Sequence, residues 1–302
     1  MKRKIVFFST LTLAIAANMA PAHAADTIKA YTSNLYQLDD SDTRNKKIRL
    51  IYTLENVWNQ SSVPQQHKEA RLLLKGGSGF DMTHVPHKTQ TYGFAAGGDF
   101  RYTVPTAFKL ALSYASGSPL RHINHAPENT IASASVSESL EYNLGVTGSS
   151  SPSISAGVSW SNRVTYDQPE FQTVADFDQN NESVTWTIEN QTILHNSPAK
   201  PQLLHYWTNC GNNLIDYSDL PIVMRSDFKP QVGAVYSKRN IDDGQNTTDI
   251  KFTAAWRKTD YYFGKDWCTY YTNFTWKNQS DRHSWTQADR IVTINWDDAL
   301  YH

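Results

Sequence analysis

The sequence offers no stretch approaching the ~20 consecutive apolar residues that a membrane-spanning helix needs, so a helical membrane protein is excluded. It has no surplus of basic charge, with 28 Lys and Arg against 29 Asp and Glu, and therefore no field to hold nucleic acid. There is no Gly-x-Ser-x-Gly elbow, no glycine-rich phosphate loop and no His-Glu-x-x-His, so catalysis has no visible apparatus. Neither a linker nor an internal repeat divides the chain. Cysteine is scarce, only Cys210 and Cys268.

What is present begins with an address. Lys2, Arg3 and Lys4 precede an apolar stretch from Ile5 to Ala17 and a small-x-small site at Ala22-His23-Ala24, the anatomy of an export signal over residues 1–24. The mature chain is expected to start at Ala25 and to be secreted. Without those three cations the 28 basic residues become 25 against 29 acidic ones. In an exported chain an isolated cysteine pair most often forms one disulfide, and Cys210–Cys268 is expected.

The most ordered pattern lies in residues 128–167. From Ala132 the even positions read Ala132, Ala134, Val136, Glu138, Leu140, Tyr142, Leu144 and Val146, and the odd ones are mostly Ser with Glu141 and Asn143. After the turn-forming Gly148–Pro152 the pattern resumes with Ile154, Ala156, Val158, Trp160, Val164 and Tyr166 against Ser153, Ser155, Ser159, Ser161, Arg163 and Thr165. A period of two predicts two strands paired as a hairpin, one face apolar and one polar. Pairing the arms about the turn puts Leu144 near Ala156, Leu140 near Trp160, Glu138 opposite Asn162 and Arg163 level with Ser137. The same alternation suits a hairpin in a water-soluble sandwich. Two features favour a membrane barrel strand: arms longer than the usual ~5–6 residues, and a polar face made mostly of small Ser and Thr and poor in Lys and Glu. Tilted barrel strands need about 9–11 such residues. One hairpin alone would leave backbone groups unpaired in hydrocarbon, so several copies would have to close a barrel.

Short strand-like runs at 47–58, 70–75, 89–94, 108–114 and 184–194, punctuated by Gly, Pro, Ser and Asn, have the cadence of a β-sandwich. Residues 25–45 read as a patternless polar arm; Asp39, Asp40 and Asp42 lack the Gly and Glu of a calcium loop. His84 with His87, and His122 with His125, have helical metal-ligand spacing, but nearby Pro86, Asn124 and Pro127 assign both pairs to loops. No metal or cofactor is expected. Tyr206 and Trp207 stand before Cys210, and Cys268 lies in a second aromatic run with Trp267, Tyr270, Tyr271 and Trp276. Such loops either pack on each other or suit the headgroup zone of a membrane.

With these pieces placed, the chain resembles the leukocidin/hemolysin family of β-barrel pore-forming toxins over nearly all its mature length. The residues that carry the resemblance are Val104-Pro105-Thr106-Ala107-Phe108-Lys109, Tyr166-Asp167-Gln168-Pro169-Glu170-Phe171, Ser226-Asp227-Phe228-Lys229-Pro230, Phe274-Thr275-Trp276-Lys277, Trp285 and Ile294-Asn295-Trp296-Asp297. The resemblance implies an all-β fold over residues 25–302. Its parts would be an arm (25–45), a sandwich cap (46–127 and 168–302), aromatic rim loops near 195–225 and 258–280, and a prestem hairpin (128–167) that becomes a transmembrane barrel on oligomerisation. It further implies a cytolysin with no enzymatic activity whose partners are the target bilayer and further copies of itself in a ring. Leu140, Tyr142, Leu144, Val146, Ile154, Ala156, Val158 and Trp160 would then face lipid, and Glu141, Asn143, Ser155 and Ser159 the lumen. Tyr206, Trp207, Trp267, Tyr270, Tyr271 and Trp276 would meet headgroups. The segment between Asn190 and Ser226 is short for the family and offers no secure Arg to partner Trp207 on phosphocholine, leaving phosphocholine, a glycan or a protein as receptor. The rival readings are a non-lytic, lectin-like binding module, a secreted glycosidase, and a monomeric outer-membrane barrel, which needs at least eight such strands.

Overall fold

The computed structural model describes residues 29–37, 48–59, 67–74, 78–92, 98–143, 159–193, 203, 214–265, 274–276, 283–298 and 300–301. Its strands are β1 (Lys29–Gln37), β2 (Ile48–Asn59), β3 (His67–Leu74), β4 (Gly79–Asp81), β5 (His87–Tyr92), β6 (Gly98–Gly117) and β7 (Leu120–Ala126). There follow β8 (Ser135–Asn143), β9 (Ser159–Asp167), β10 (Phe171–Asp178), β11 (Ser183–Asn190) and β12 (Asp227–Phe228). The last are β13 (Val232–Lys238), β14 (Thr247–Lys265), β15 (Phe274–Trp276), β16 (His283–Asn295) and β17 (Leu300–Tyr301). The one α-helix among the described residues, α1 (Ile222–Arg225), is a single turn.

Two sheets stack face to face. The first runs β12-β4-β2-β3-β13-β7, with β1 and β17 also joined to β2; the second runs β10-β11-β6-β14-β15, with β16 on β14 and β5 on β6. Strand β1 is a finding, since residues 25–45 carry no legible alternation; β1 pairs antiparallel with β2 from Lys29↔Asn56 to Gln37↔Arg49. Between the sheets lies one core. Leu54, Leu72, Leu74, Ala234 and Tyr236 come from the first sheet, and Phe108, Leu110, Leu112, Trp186, Ile188, Phe252 and Ile294 from the second. In β6 the buried residues Phe108, Leu110 and Leu112 alternate with Lys109, Ala111 and Ser113 at the half-exposed positions, as a strand with one face on a core requires.

Pro105 lies inside β6, where it has no N–H to give. The β6–β14 register shifts between Arg257 and Lys258, and Lys258 is the partner of Pro105, so a bulge absorbs the missing donor. Two buried indoles are satisfied: Trp296 Nε1 donates to Thr248 Oγ1 at 2.7 Å and Trp186 Nε1 to the Pro127 carbonyl at 2.8 Å. These two tryptophans are core.

The loop joining β13 to β14 is fastened by a buried cation. Lys238, 4% exposed, places Nζ 2.7 Å from Asp243 Oδ1 and donates to the carbonyls of Gln245 at 2.6 Å and Ile241 at 3.3 Å. Asp243 also accepts from the Ser118 hydroxyl and the Gln245 N–H. Desolvation alone would raise its carboxyl, but these donors outweigh it and hold Asp243 down at about 2. A lowered folded pKa means this stabilisation is present above the ordinary value of 3.8 and is lost as pH falls toward 2. Asp243→Asn leaves the lysine charge uncompensated and is expected to lower unfolding stability by about 3 kcal/mol, read as a shift of the urea midpoint at pH 7.

Candidate functional site: a hairpin held on the cap

Strand β13 is buried on both faces over Val232–Tyr236, as is β3 over Lys68–Leu74. A strand with only one face on a core alternates, so something covers the back of this sheet. The cover is the hairpin β8–β9, which forms a two-stranded sheet of its own and pairs with neither large sheet. Its even positions turn inward: Val136, Leu140 and Val164 are fully buried and Tyr166 nearly so, while Ser135, Ser137, Ser161, Arg163 and Thr165 are exposed. The faces assigned from the alternation hold for these residues.

The register differs from that read in the sequence. Leu140 pairs with Asn162, Tyr142 with Trp160, Glu138 with Val164 and Arg163 with Ser139, a slip of two residues that keeps every side chain on its face. Period-two patterns cannot distinguish registers two apart, because both put the same residues inward.

Leu140 and Val164 pack with Leu73, Ala126 and Val235, and Ile123 adjoins them. This second cluster lies on the outer side of the first sheet, since Leu72, Leu74, Ala234 and Tyr236 of the same strands point into the main core. Gly233 makes the seat fit. A Cβ there would stand 2.7 Å from Leu73 Cδ2 and 3.0 Å from Leu140 Cδ2, closer than a methyl tolerates. Burying these two aliphatic side chains supplies about 3–6 kcal/mol toward holding the hairpin.

The base of the hairpin is held by a polar clasp. Gln168 is fully buried; its Nε2 donates to the carbonyls of Ile131 at 2.8 Å and Ser133 at 3.0 Å, and its N–H to Ala134 O at 2.7 Å. Thr173 donates its hydroxyl to Gln168 Oε1, leaving Tyr166 to donate to Thr173 Oγ1 at 2.7 Å. Thr165 N–H reaches Gln231 Oε1 at 3.1 Å, and Glu138 Oε1 accepts the Glu128 N–H at 2.8 Å. The clasp ties both arms to the cap where they leave it. Gln168 was legible in the sequence only as one letter of a motif; Gly233, Leu73, Val235 and Thr173 carried no signal, because their role arises from strands distant in the chain.

Tyr142, Glu141, Asn143, Ser159 and Trp160 lie on the paired arms. Leu144, Val146, Ile154, Ser155, Ala156 and Val158 lie outside the described residues, as do Tyr206, Trp207, Cys210, Trp267, Cys268, Tyr270 and Tyr271. Trp276 is on β15, paired with Phe263 of β14. Trp285 stands on the outer face of the second sheet, with Lys109 Nζ 4.9 Å and Arg257 Cζ 5.7 Å from its ring centre. His122 and His125 are on strand β7 and not in a loop.

Gly233→Val adds a branched side chain under Leu140 at a strand position that suits it. Overpacking of this kind costs about 1–3 kcal/mol and here falls on the hairpin. The expected result is faster proteolysis within residues 135–167 with the melting temperature of the cap within about 2 °C of wild type.

Comparison with known proteins agrees with this architecture. Residues 33–298 match the leukocidin/hemolysin toxin family. Leucotoxin LukD of Staphylococcus aureus is 22% identical over 192 residues, 57% of this chain and 58% of that protein, so the match spans less than two thirds of LukD. Gamma-hemolysin component B of the same organism is 23% identical over 241 residues, 74% of this chain and 70% of that protein. Among solved structures, Clostridium perfringens delta-toxin superposes with a TM-score of 0.58 at 16% identity, covering 89% of this chain and 91% of that one. A docked alternating hairpin on an all-β sandwich, with the family match over most of the chain, places this protein in the leukocidin/hemolysin toxin family.

Proposed function

We propose that this chain is an exported cytolysin that binds a target membrane, assembles with further copies of itself into a ring, and inserts one hairpin per subunit to make a pore. The observation that carries the reading is the hairpin's independence. It is paired only with itself among the described residues, so leaving the cap breaks no ladder hydrogen bonds to either large sheet, yet its apolar face is buried and must be buried again elsewhere. In a ring of copies, lipid takes that face and neighbouring arms satisfy the strand edges. A lone hairpin in hydrocarbon lacks those neighbours, so assembly precedes insertion. Release of dye from liposomes, with rings visible by electron microscopy, tests the whole sequence; tight binding without leakage would favour the lectin-like module. In this proposal Tyr206, Trp207, Trp267, Tyr270, Tyr271 and Trp276 contact headgroups, and a Cys210–Cys268 disulfide joins the two aromatic loops.

Leu144→Asp places a charge on the lipid face of each copy, costing a few kcal/mol near mid-bilayer. The expected phenotype is membrane-bound oligomers that do not leak dye; wild-type leakage would show that this arm does not cross the bilayer.

The register bears on the lumen. The sequence pairing separates Glu141 from Arg163 by about four residues or ~13 Å, beyond the ~8 Å screening length, and predicts a weakly cation-selective pore. The observed pairs Glu141↔Ser161 and Ser139↔Arg163 make the two diagonal neighbours, ~7–8 Å apart. Repeated around a barrel of the same register, the carboxylate and guanidinium rings largely cancel. The wild-type pore is then close to non-selective, Arg163→Ser shifts it toward cations and Glu141→Ser toward anions. Reversal potentials under a salt gradient read all three; a wild type as cation-selective as Arg163→Ser means the barrel does not keep this register.

A further inference from the structure

Two imidazoles, His125 buried and His122 half-buried, lie behind the strand on which the hairpin rests. His125 Nδ1 and His122 Nε2 are 3.2 Å apart, three residues apart on β7, where ordinary pleating would send them to opposite faces. The β7–β13 register shifts between Val235 and Tyr236, which pair with Asn124 and His122. Ile123 is the extra residue, and the bulge turns both rings inward while Ile123 packs toward Leu140 and Val164.

The inward surroundings are apolar. The Phe177 ring of β10 is centred 4.2 Å from His122, the Tyr236 ring of β13 5.7 Å from it, and the Trp186 indole of β11 6.1 Å from His125. Asp176 and Asp178 alternate with Phe177 and so belong to the other face of β10. The charged groups nearby are few. Glu182 Oε2 accepts the His122 N–H at 2.8 Å and is itself paired with Arg239; Glu128 lies beyond His125 with its own N–H on the hairpin's Glu138; Arg121 of β7 points to solvent. Desolvation and the neighbouring imidazole hold His122 down at about 4 despite Glu182, and desolvation lowers His125 despite Glu128.

Strand β7 is the edge of its sheet, and β8 lies alongside it. The docked hairpin thereby covers part of the back of the strand that carries the two rings, at Ile123 and Ala126. We propose that the His122–His125 pair is an acid-sensitive catch, whose protonation loosens β7 and releases the hairpin. The inference rests on the reading of the hairpin as the inserting element. Linkage gives its size and sign: a group at about 4 in the docked state and near 6.5 once hydrated favours the open state as pH falls between those values. One such group alone increases opening about twentyfold from pH 7 to pH 5.

Hydrogen–deuterium exchange of the full chain, corrected for the intrinsic pH dependence of amide exchange, reads the opening directly. The expected result is about twentyfold faster exchange in residues 135–143 and 159–167 at pH 5 than at pH 7, with β14 unchanged. His122→Phe keeps the stacked ring and His122→Gln keeps polarity; both are expected to lose most of the acceleration. Hairpin exchange indifferent to pH, acceleration that survives in both variants, or all strands accelerating together overturns the proposal. Liposome leakage measured in parallel separates the two readings. Acid opening without leakage at either pH rejects the pore and leaves the catch, whereas leakage with pH-indifferent exchange rejects the catch alone.

Discussion

The contact on which the rest of this structure depends is that of Leu140 over the bare Cα of Gly233. The hairpin's apolar face has two places to go, the back of a cap sheet or an environment as apolar as that sheet. Water is neither, since each exposed aliphatic side chain forfeits about 1.5–3 kcal/mol. The cap is built around this demand. Strands β3 and β13 carry apolar residues on both faces, Leu72 and Ala234 for the sandwich core, Leu73 and Val235 for the hairpin. With the hairpin gone, that second face would lie open, so the docked state protects the cap as much as the cap protects the hairpin.

The hold is graded along the hairpin. At the base, Gln168 binds three backbone carbonyls and Thr173 and Tyr166 complete a chain of hydroxyl bonds, groups that are costly to leave unpaired once buried. Farther out, Leu140 and Val164 are held by apolar, non-directional contacts. The clasp anchors the base of the hairpin, and the seat on Gly233 receives Leu140 farther along it.

Much of this was legible in residues 128–167, because a two-residue period reports a strand's faces directly and inward positions such as Val136, Leu140 and Val164 all carry apolar side chains. The slip of two in register was not legible, since it changes no face. Strand β1 escaped notice because an edge strand joined to one neighbour need not alternate. Nearby Pro and Asn point to a loop for His122 and His125, and it is the bulge at Ile123, which depends on the partner strand, that puts both on one face of β7.

The sequence by itself determined that the chain is all-β, that one hairpin has an apolar face and a polar face made mostly of small Ser and Thr, and which family motifs flank it. These are local properties, set by side-chain alternation and turn chemistry within a few tens of residues. Only the tertiary structure decided where the hairpin rests, which glycine makes room for it, and which glutamine clasps its base. Those depend on bringing β13 against β3 and β7, each more than a hundred residues earlier in the chain, and no local pattern records which distant side chain will meet which.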